Sequence, residues 1–186
     1  MFEKISKEQW VKDMQKNTFF TDELIDKAYD NIKIPTRGSS FSAGYDFYMP
    51  YDFTLGSAKK DIIMTGIRWN CEKSISSHDM IKSADCYEDA LSFVFNKVLL
   101  LFARSSVAKD CGFSLTNKVG VIDMDYYMAE NEGHIMILVD RKTAKTDYAF
   151  KTGDRIVQGV IMPYFVDEID IVRNDKRTGG FGSTGQ

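Results

Sequence analysis

Asn117-Lys118-Val119-Gly120-Val121-Ile122-Asp123-Met124-Asp125-Tyr126 is the stretch on which the reading of this chain turns. It reads as a tight strand-turn-strand, and it brings an amide, a carboxylate and an aromatic ring within ten residues. Taken singly, Asn117 and Asp123 are ordinary turn formers and Tyr126 an ordinary strand aromatic. The flanking sequence has the same character. From Ile34 onward, short apolar runs are broken by Gly, Asp, Asn and Ser: Phe47-Tyr48-Met49, Asp61 to Met64, Lys97 to Phe102, His134 to Val139 and Ile156 to Ile161. Many short strands at this spacing predict a mainly β domain of sandwich or jelly-roll type.

Residues 1–32 have a different period. Ser6 and Gln9 form a capping-box pattern ahead of Trp10, Val11 and Met14, which share one helical face. Thr21 precedes Asp22 and Glu23 and then the stripe Leu24, Ile25, Ala28, Tyr29 and Ile32, so a second helix is expected, with Phe20 stapled to Ile25. Residues 72–96 also leave the β pattern: a polar run to Ser83 is followed by a stretch able to form a short amphipathic helix around Tyr87, Leu91, Phe93 and Val94. A loop of that length is expected to carry structure of its own.

The 186 residues suffice for one domain with a real core, and 44% hydrophobic with 27% charged residues is ordinary for a soluble globular protein. A net charge of −3 speaks against a sequence-independent grip on nucleic acid. No apolar run reaches the length of a membrane span, and the first residues mix charges without the apolar core of a secretory signal. Cys71, Cys86 and Cys111 lack metal-like spacing and read as reduced thiols, so a cytoplasmic location is expected.

Four further segments accompany the decamer: Ser42-Ala43-Gly44-Tyr45-Asp46, Ala103-Arg104-Ser105-Ser106-Val107-Ala108, Gly153-Asp154-Arg155-Ile156-Val157-Gln158, and the tail Gly179-Gly180-Phe181-Gly182-Ser183-Thr184-Gly185. In that order the five resemble the signature motifs of the trimeric dUTP diphosphatases (dUTPases). The resemblance covers residues 34–186 apart from the 72–96 insertion, with residues 1–33 as a helical extension. It implies a distorted jelly-roll fold, a homotrimer with shared sites, and Mg²⁺-assisted hydrolysis of dUTP to dUMP and pyrophosphate.

Each chemical requirement then falls to a residue. The resemblance makes Asp123 the base that activates the attacking water, with Ser105 and Gln158 as the other catalytic groups at the phosphates. Arg104 and Ser106 would bind phosphate oxygens. Asn117, with the backbone of Gly120, Val121 and Ile122, would read the uracil edge, and Tyr126 would stack on deoxyribose and exclude a 2′-hydroxyl. Asp46 would hold a water of an Mg²⁺ bound mainly by the triphosphate. Residues 176–186 would form a lid, with Phe181 over the uracil, Ser183 and Thr184 on the γ-phosphate, and Gly182 also at the substrate. Asp154 and Arg155 are expected to fix their loop through local ion pairs.

The chain departs from the pattern in places. Lys176 stands where family members often carry Arg, so the phosphate contact is assigned to Arg177, whose planar fork suits it better. The segment Tyr127 to Gly133 is longer than the usual turn, and Ala103 replaces a common Gly. Two other readings compete. A dCTP deaminase-like enzyme of the same fold would need a glutamate on the strand Gly133 to Val139, which has none. A regulatory binding protein on the same scaffold would use the 72–96 insertion as contact surface for a protein partner.

Overall fold

The computed structural model describes residues 1–16, 20–56, 60–71, 96–141 and 147–167. The expected helix in the 72–96 insertion and the 176–186 lid therefore lie outside the described residues. The chain opens with β1 (Phe2–Lys4), α1 (Lys7–Met14) and α2 (Asp22–Asp30), then continues through β2 (Thr36–Arg37), β3 (Tyr45–Tyr48), β4 (Phe53–Leu55), β5 (Lys60–Met64) and β6 (Ile67–Trp69). After the insertion come β7 (Lys97–Ala103), α3 (Ser105–Cys111), β8 (Phe113–Leu115), β9 (Gly120–Ile122) and a 3-10 turn over Met124–Met128. The series ends with β10 (Met136–Arg141), β11 (Tyr148–Phe150) and β12 (Arg155–Pro163). Every strand pair is antiparallel, and the strands form a five-stranded sheet β2-β3-β12-β7-β9, a three-stranded sheet β5-β10-β8, and the pairs β1-β6 and β11-β4. This is the mainly β, jelly-roll-like architecture the sequence predicts.

Strand alternation gives the five-stranded sheet two faces. Phe47, Leu99, Leu101, Ile122 and Val157 face the core and are almost fully buried. Gly159 sits among them because a side chain there would come within 2.9 Å of both Leu99 and Phe47. The opposite face carries three rows set by the register: Asp46, Gln158 and Phe102; Val160, Leu100 and Val121; Met162 and Val98. From its second row onward it is apolar, and Val121 (58%) and Met162 (44%) stand well exposed on it.

One irregularity matters for the site. The register between β12 and β3 shifts between Arg155 and Val157, so Ile156 is an extra residue. Strict alternation would put Arg155 on the same face as the buried Val157. The bulge turns Ile156 into the core instead and places Arg155 opposite Tyr48, on the face that carries Asp46.

The first thirty residues are built into the same core as the β domain. Trp10, Met14, Ile25 and Ala28 belong to the single buried cluster, and β1 pairs with β6 from Phe2↔Trp69 to Lys4↔Ile67. Ser6 caps α1 by accepting the Gln9 amide at 3.1 Å. The expected reciprocal contact from Gln9 is replaced, because the Ser6 amide and hydroxyl both donate to Glu132, at 2.8 and 2.6 Å. Thr21 caps α2 as expected. Phe20 packs its ring edge-on against Tyr51, with centroids 5.0 Å apart.

A buried pair fixes α1 to the β domain. Asp13 and His134 are both fully buried and meet at 2.7 Å between Oδ2 and Nδ1. Burial pushes the Asp13 carboxyl up, but hydrogen bonds from His134, Lys16 and Gln9 outweigh it and hold the group below the usual carboxylate range. A depressed folded value means stability that is present above the unfolded value, about 3.9, and lost as pH falls through the folded one. The thermal midpoint should therefore fall more steeply below pH 4 in the native protein than in Asp13→Asn. Parallel curves in a pH series of thermal melts would show that Asp13 makes no such contribution.

Candidate active site

The sheet's polar row begins the site. Asp46 is buried at the end of the apolar face and meets two guanidinium groups, Arg104 at 3.5 Å and Arg155 at 3.4 Å. Arg155 thus reaches a carboxylate 109 residues away, where a local partner was expected. Asp154 alone serves its loop, accepting the Lys151 amide at 2.8 Å while Gly153 takes the left-handed φ of +91° that the turn requires. Gln158 lies against Gly44, where a side chain would come within 2.7 Å of its Oε1. Above this cluster opens a cavity of about 220 Å³, lined by Arg104, Ser106, Tyr148, Phe150, Asp154 and Arg155.

Arg104 to Ser106 do not sit in a simple strand end. Arg104 is the N-cap of α3, Ser105 and Ser106 form its exposed first turn, and Gly112 ends it at a φ of +67°. The Arg104 side chain makes no capping bond and turns to Asp46 instead. Two cations, two hydroxyls and a mostly polar cavity suit the oxygens of a polyanion.

The decamer does not form the expected strand-turn-strand: a turn leads into β9 and then into the 3-10 turn, and β9 pairs with β7 while β8 pairs with β10. Lys118 takes a φ of +67° and its amide donates to Leu115 at 3.0 Å, leaving Asn117 exposed at the tip. Gly120 lets β9 lie close on β7, since a side chain there would sit 3.2 Å from the Cβ of Leu101. Val121 is exposed and Ile122 buried, so the strand ends with Asp123 exposed at the N-cap of the 3-10 turn. Tyr126 lies in that turn, with its ring 4% exposed and its hydroxyl donating to the His134 carbonyl at 2.8 Å. Within this chain the ring offers only a narrow edge.

Sequence reasoning missed Tyr164. It follows β12, its amide donates to the Asn96 carbonyl at 3.0 Å, and it lies near Asp123 and Asp125. Partial burial and the carboxylates of Asp123 and Asp125 push its phenol above the ordinary value. An exposed aromatic just past a strand has no sequence signal that would tie it to a motif forty residues earlier.

The two halves of the site are separated in the chain. Ile122 faces Leu99, so Asp123 lies level with the start of β7, whereas Arg104 follows its far end at Ala103. Six residues of extended strand span roughly 20 Å. Arg177, Phe181, Gly182, Ser183 and Thr184 lie outside the described residues.

Paired arginines at a polar cavity have the chemistry that suits a phosphorylated ligand, and Asp123 stands exposed at the end of β9. The dUTPase family model matches residues 30–78. The deoxyuridine 5'-triphosphate nucleotidohydrolase of Lactococcus lactis is 35% identical over 156 residues, covering 83% of this chain and 89% of that protein. The crystal structure of a dUTPase from Streptococcus mutans aligns at a TM-score of 0.60 and 28% identity, over 90% of this chain and 98% of that one. A mutant dUTPase from phage phi11 of S. aureus, described for its coordination of a structural Mg(II) ion, aligns at a TM-score of 0.53 and 19% identity over 78% of this chain. The chain belongs to the dUTPase family. Nine-tenths of the chain cannot be fitted within residues 34–186, so the Streptococcus match takes in part of residues 1–33, which the sequence reading had left outside the resemblance.

Proposed function

We propose that the protein is a dUTP diphosphatase that hydrolyses dUTP to dUMP and pyrophosphate, limiting uracil incorporation into DNA and supplying dUMP for thymidylate synthesis. The observation that carries this reading is the Asp46–Arg104–Arg155 cluster at the polar cavity, in a chain 35% identical to a named dUTP nucleotidohydrolase.

In the reaction Asp123 takes a proton from water as the oxygen attacks the α-phosphorus. The bond from that phosphorus to the α/β bridging oxygen breaks, and its electron pair leaves with pyrophosphate. Arg104, Ser105 and Ser106 stabilise the charge that gathers on the leaving group, with Gln158 beside them. Arg155 adds a second cation at the same cavity. Asn117 and the backbone of Gly120, Val121 and Ile122 read the uracil edge, and Tyr126 borders the sugar. Residues 176–186 close the site, with Arg177 on phosphate and Phe181 over the base.

The residues present suit an Mg²⁺ carried by the triphosphate. Among the described residues no cluster of three His, Cys, Asp or Glu forms a protein cage. Asp46 meets Arg155 and Arg104, which line the cavity, at 3.4 and 3.5 Å, long enough to leave its oxygens able to accept from an ion's water. When bound, the ion supplies charge neutralisation on the phosphates.

A homotrimer with shared sites accounts for two features together. The outer face of the five-stranded sheet is apolar and exposed, and its polar row leads directly to the cavity. The roughly 20 Å between Asp123 and Arg104 is too far for both to act on one phosphate chain, so the Asp123 of one subunit serves the cavity of another. Among the described residues no helix is long and apolar enough to cross a membrane, and a cytoplasmic location belongs to this proposal.

The test is product analysis with Mg²⁺ and, separately, dUTP, dCTP, dTTP and UTP. Release of dUMP and pyrophosphate from dUTP alone is expected. Conversion of dCTP would move the assignment to the deaminase branch, although His134 on the relevant segment is buried against Asp13 and away from solvent. Nucleotide binding without turnover would favour the regulatory reading, with the 72–96 insertion as partner surface.

A further inference from the structure

The segment after Tyr126 is longer than the sequence pattern calls for, and the structure shows where its extra residues go. Glu132 reaches the start of α1, accepting from the amide and hydroxyl of Ser6. Two residues on, His134 reaches the last turn of α1 and meets Asp13 at 2.7 Å. Between them Gly133 takes a φ of +68°, where a side chain would come within 2.7 Å of the Tyr126 carbonyl oxygen. The turn is thus folded tightly back on Tyr126 while its outer side is fastened to α1 at two points.

The fastening is directional. The Gly66 amide donates to Nε2 of His134 at 2.9 Å, so Nε2 carries no proton and the ring proton is on Nδ1, donated to Asp13. Both ring nitrogens are committed, and Trp10 packs against the ring with centroids 6.0 Å apart. With its ring held this way, the His134 backbone carbonyl accepts the Tyr126 hydroxyl at 2.8 Å. Asn131 completes the arrangement by donating from Nδ2 to that same hydroxyl at 3.0 Å. A buried carboxylate is costly, and an apolar pair of equal volume would often fill such a place with less loss. What the polar pair adds is a fixed position for the peptide that grips Tyr126.

We infer that Asp13, His134 and Asn131 form a brace that positions the Tyr126 ring, and that α1 thereby sets how strictly the site separates deoxyribonucleoside from ribonucleoside triphosphates. The inference rests on the proposed placement of the sugar beside Tyr126. Asp13 and His134 touch no substrate; they act through the turn. A displacement of about 1 Å at a positioning ring is enough to change turnover by as much as two orders of magnitude.

The experiment measures kcat/KM for dUTP and for UTP on the full-length protein, well below each variant's unfolding midpoint. Asp13→Leu removes the acceptor for the Nδ1 proton and should lower the dUTP-to-UTP ratio about tenfold or more. Asp13→Asn keeps an acceptor oxygen and should restore the ratio to near the native value despite any loss of stability. Lys16→Ala, which removes only the exposed ion-pair partner of Asp13, should leave the ratio unchanged. If Asp13→Leu does not fold, Asn131→Ala serves in its place, because it removes one of the two contacts to the phenol. A native ratio in folded Asp13→Leu, or in Asn131→Ala where that variant is needed, overturns the brace. Tyr126→Ala separates the two levels: an unchanged ratio there means the sugar placement itself is wrong, whereas a collapsed ratio with a native one in the brace variant refutes only the brace.

Discussion

Asp123→Asn should lower kcat by about three orders of magnitude, the middle of the range a positioned base supplies. Binding of a non-hydrolysable dUTP analogue should be largely retained. The substitution preserves shape, and Asp123 is exposed at the end of β9, so stability should change by no more than about 0.5 kcal/mol. Asparagine can still hold a water by hydrogen bonds but cannot accept its proton. The expected signature is therefore loss in kcat with little change in analogue affinity. Single-turnover measurement of dUMP release, alongside equilibrium binding of the analogue, reads both quantities. Near-native turnover in this variant would remove Asp123 from the role of base.

The β framework was legible because its signals are local. Short apolar runs such as Lys97 to Phe102 and Ile156 to Ile161 became β7 and β12 with one or two residues added at their ends. The helices α1 and α2 announced themselves through Ser6 and Thr21, whose hydroxyls accept the amides three residues on. What failed to show in the sequence depends on distant contacts. The strand Phe2–Lys4 exists because β6 lies beside it, and its mixed sequence carries no period of its own. Half of the Ser6 capping box was replaced by Glu132, 126 residues away. The helix α3 was missed because an Arg-Ser-Ser triplet after a strand reads as loop. Gly112 at its C-terminal end was the available signal, as glycine often ends a helix in the left-handed conformation.

The site was legible in its residue types and not in their grouping. Arg155 looked like a loop residue beside Asp154, and only the bulge at Ile156 turns it to the face of Asp46. No pattern in Gly153-Asp154-Arg155-Ile156-Val157 announces an extra residue, because each position is acceptable in a regular strand. The separation of Asp123 from Arg104 was equally hidden. Nineteen residues apart in sequence, they sit at opposite ends of one strand ladder, and only the register of β7 with β9 shows it.

That separation leads to a second large effect. If the site is shared, two inactive proteins should restore each other. Asp123→Asn subunits retain an intact Asp46–Arg104–Arg155 cavity, and Arg104→Ala subunits retain an intact Asp123. Each protein alone has every site defective, so its rate should be near background. When the two are unfolded and refolded together in equal amounts, trimers assemble at random from both kinds. A site is whole when its cavity comes from the first kind and its carboxylate from the second, which occurs in roughly a quarter of sites for closed cyclic assembly. The mixture should therefore recover about a quarter of the native rate, far above either parent. If both residues act within one chain, every site in the mixture carries one defect or the other and no activity returns. Titrating the mixing ratio sharpens the distinction: shared sites give a maximum at equal amounts, whereas contamination by native protein would track one parent linearly. A flat line at background, with trimers still present by sedimentation, would refute the shared site and return Asp123 and Arg104 to a single chain, with some other residue closing the distance between them.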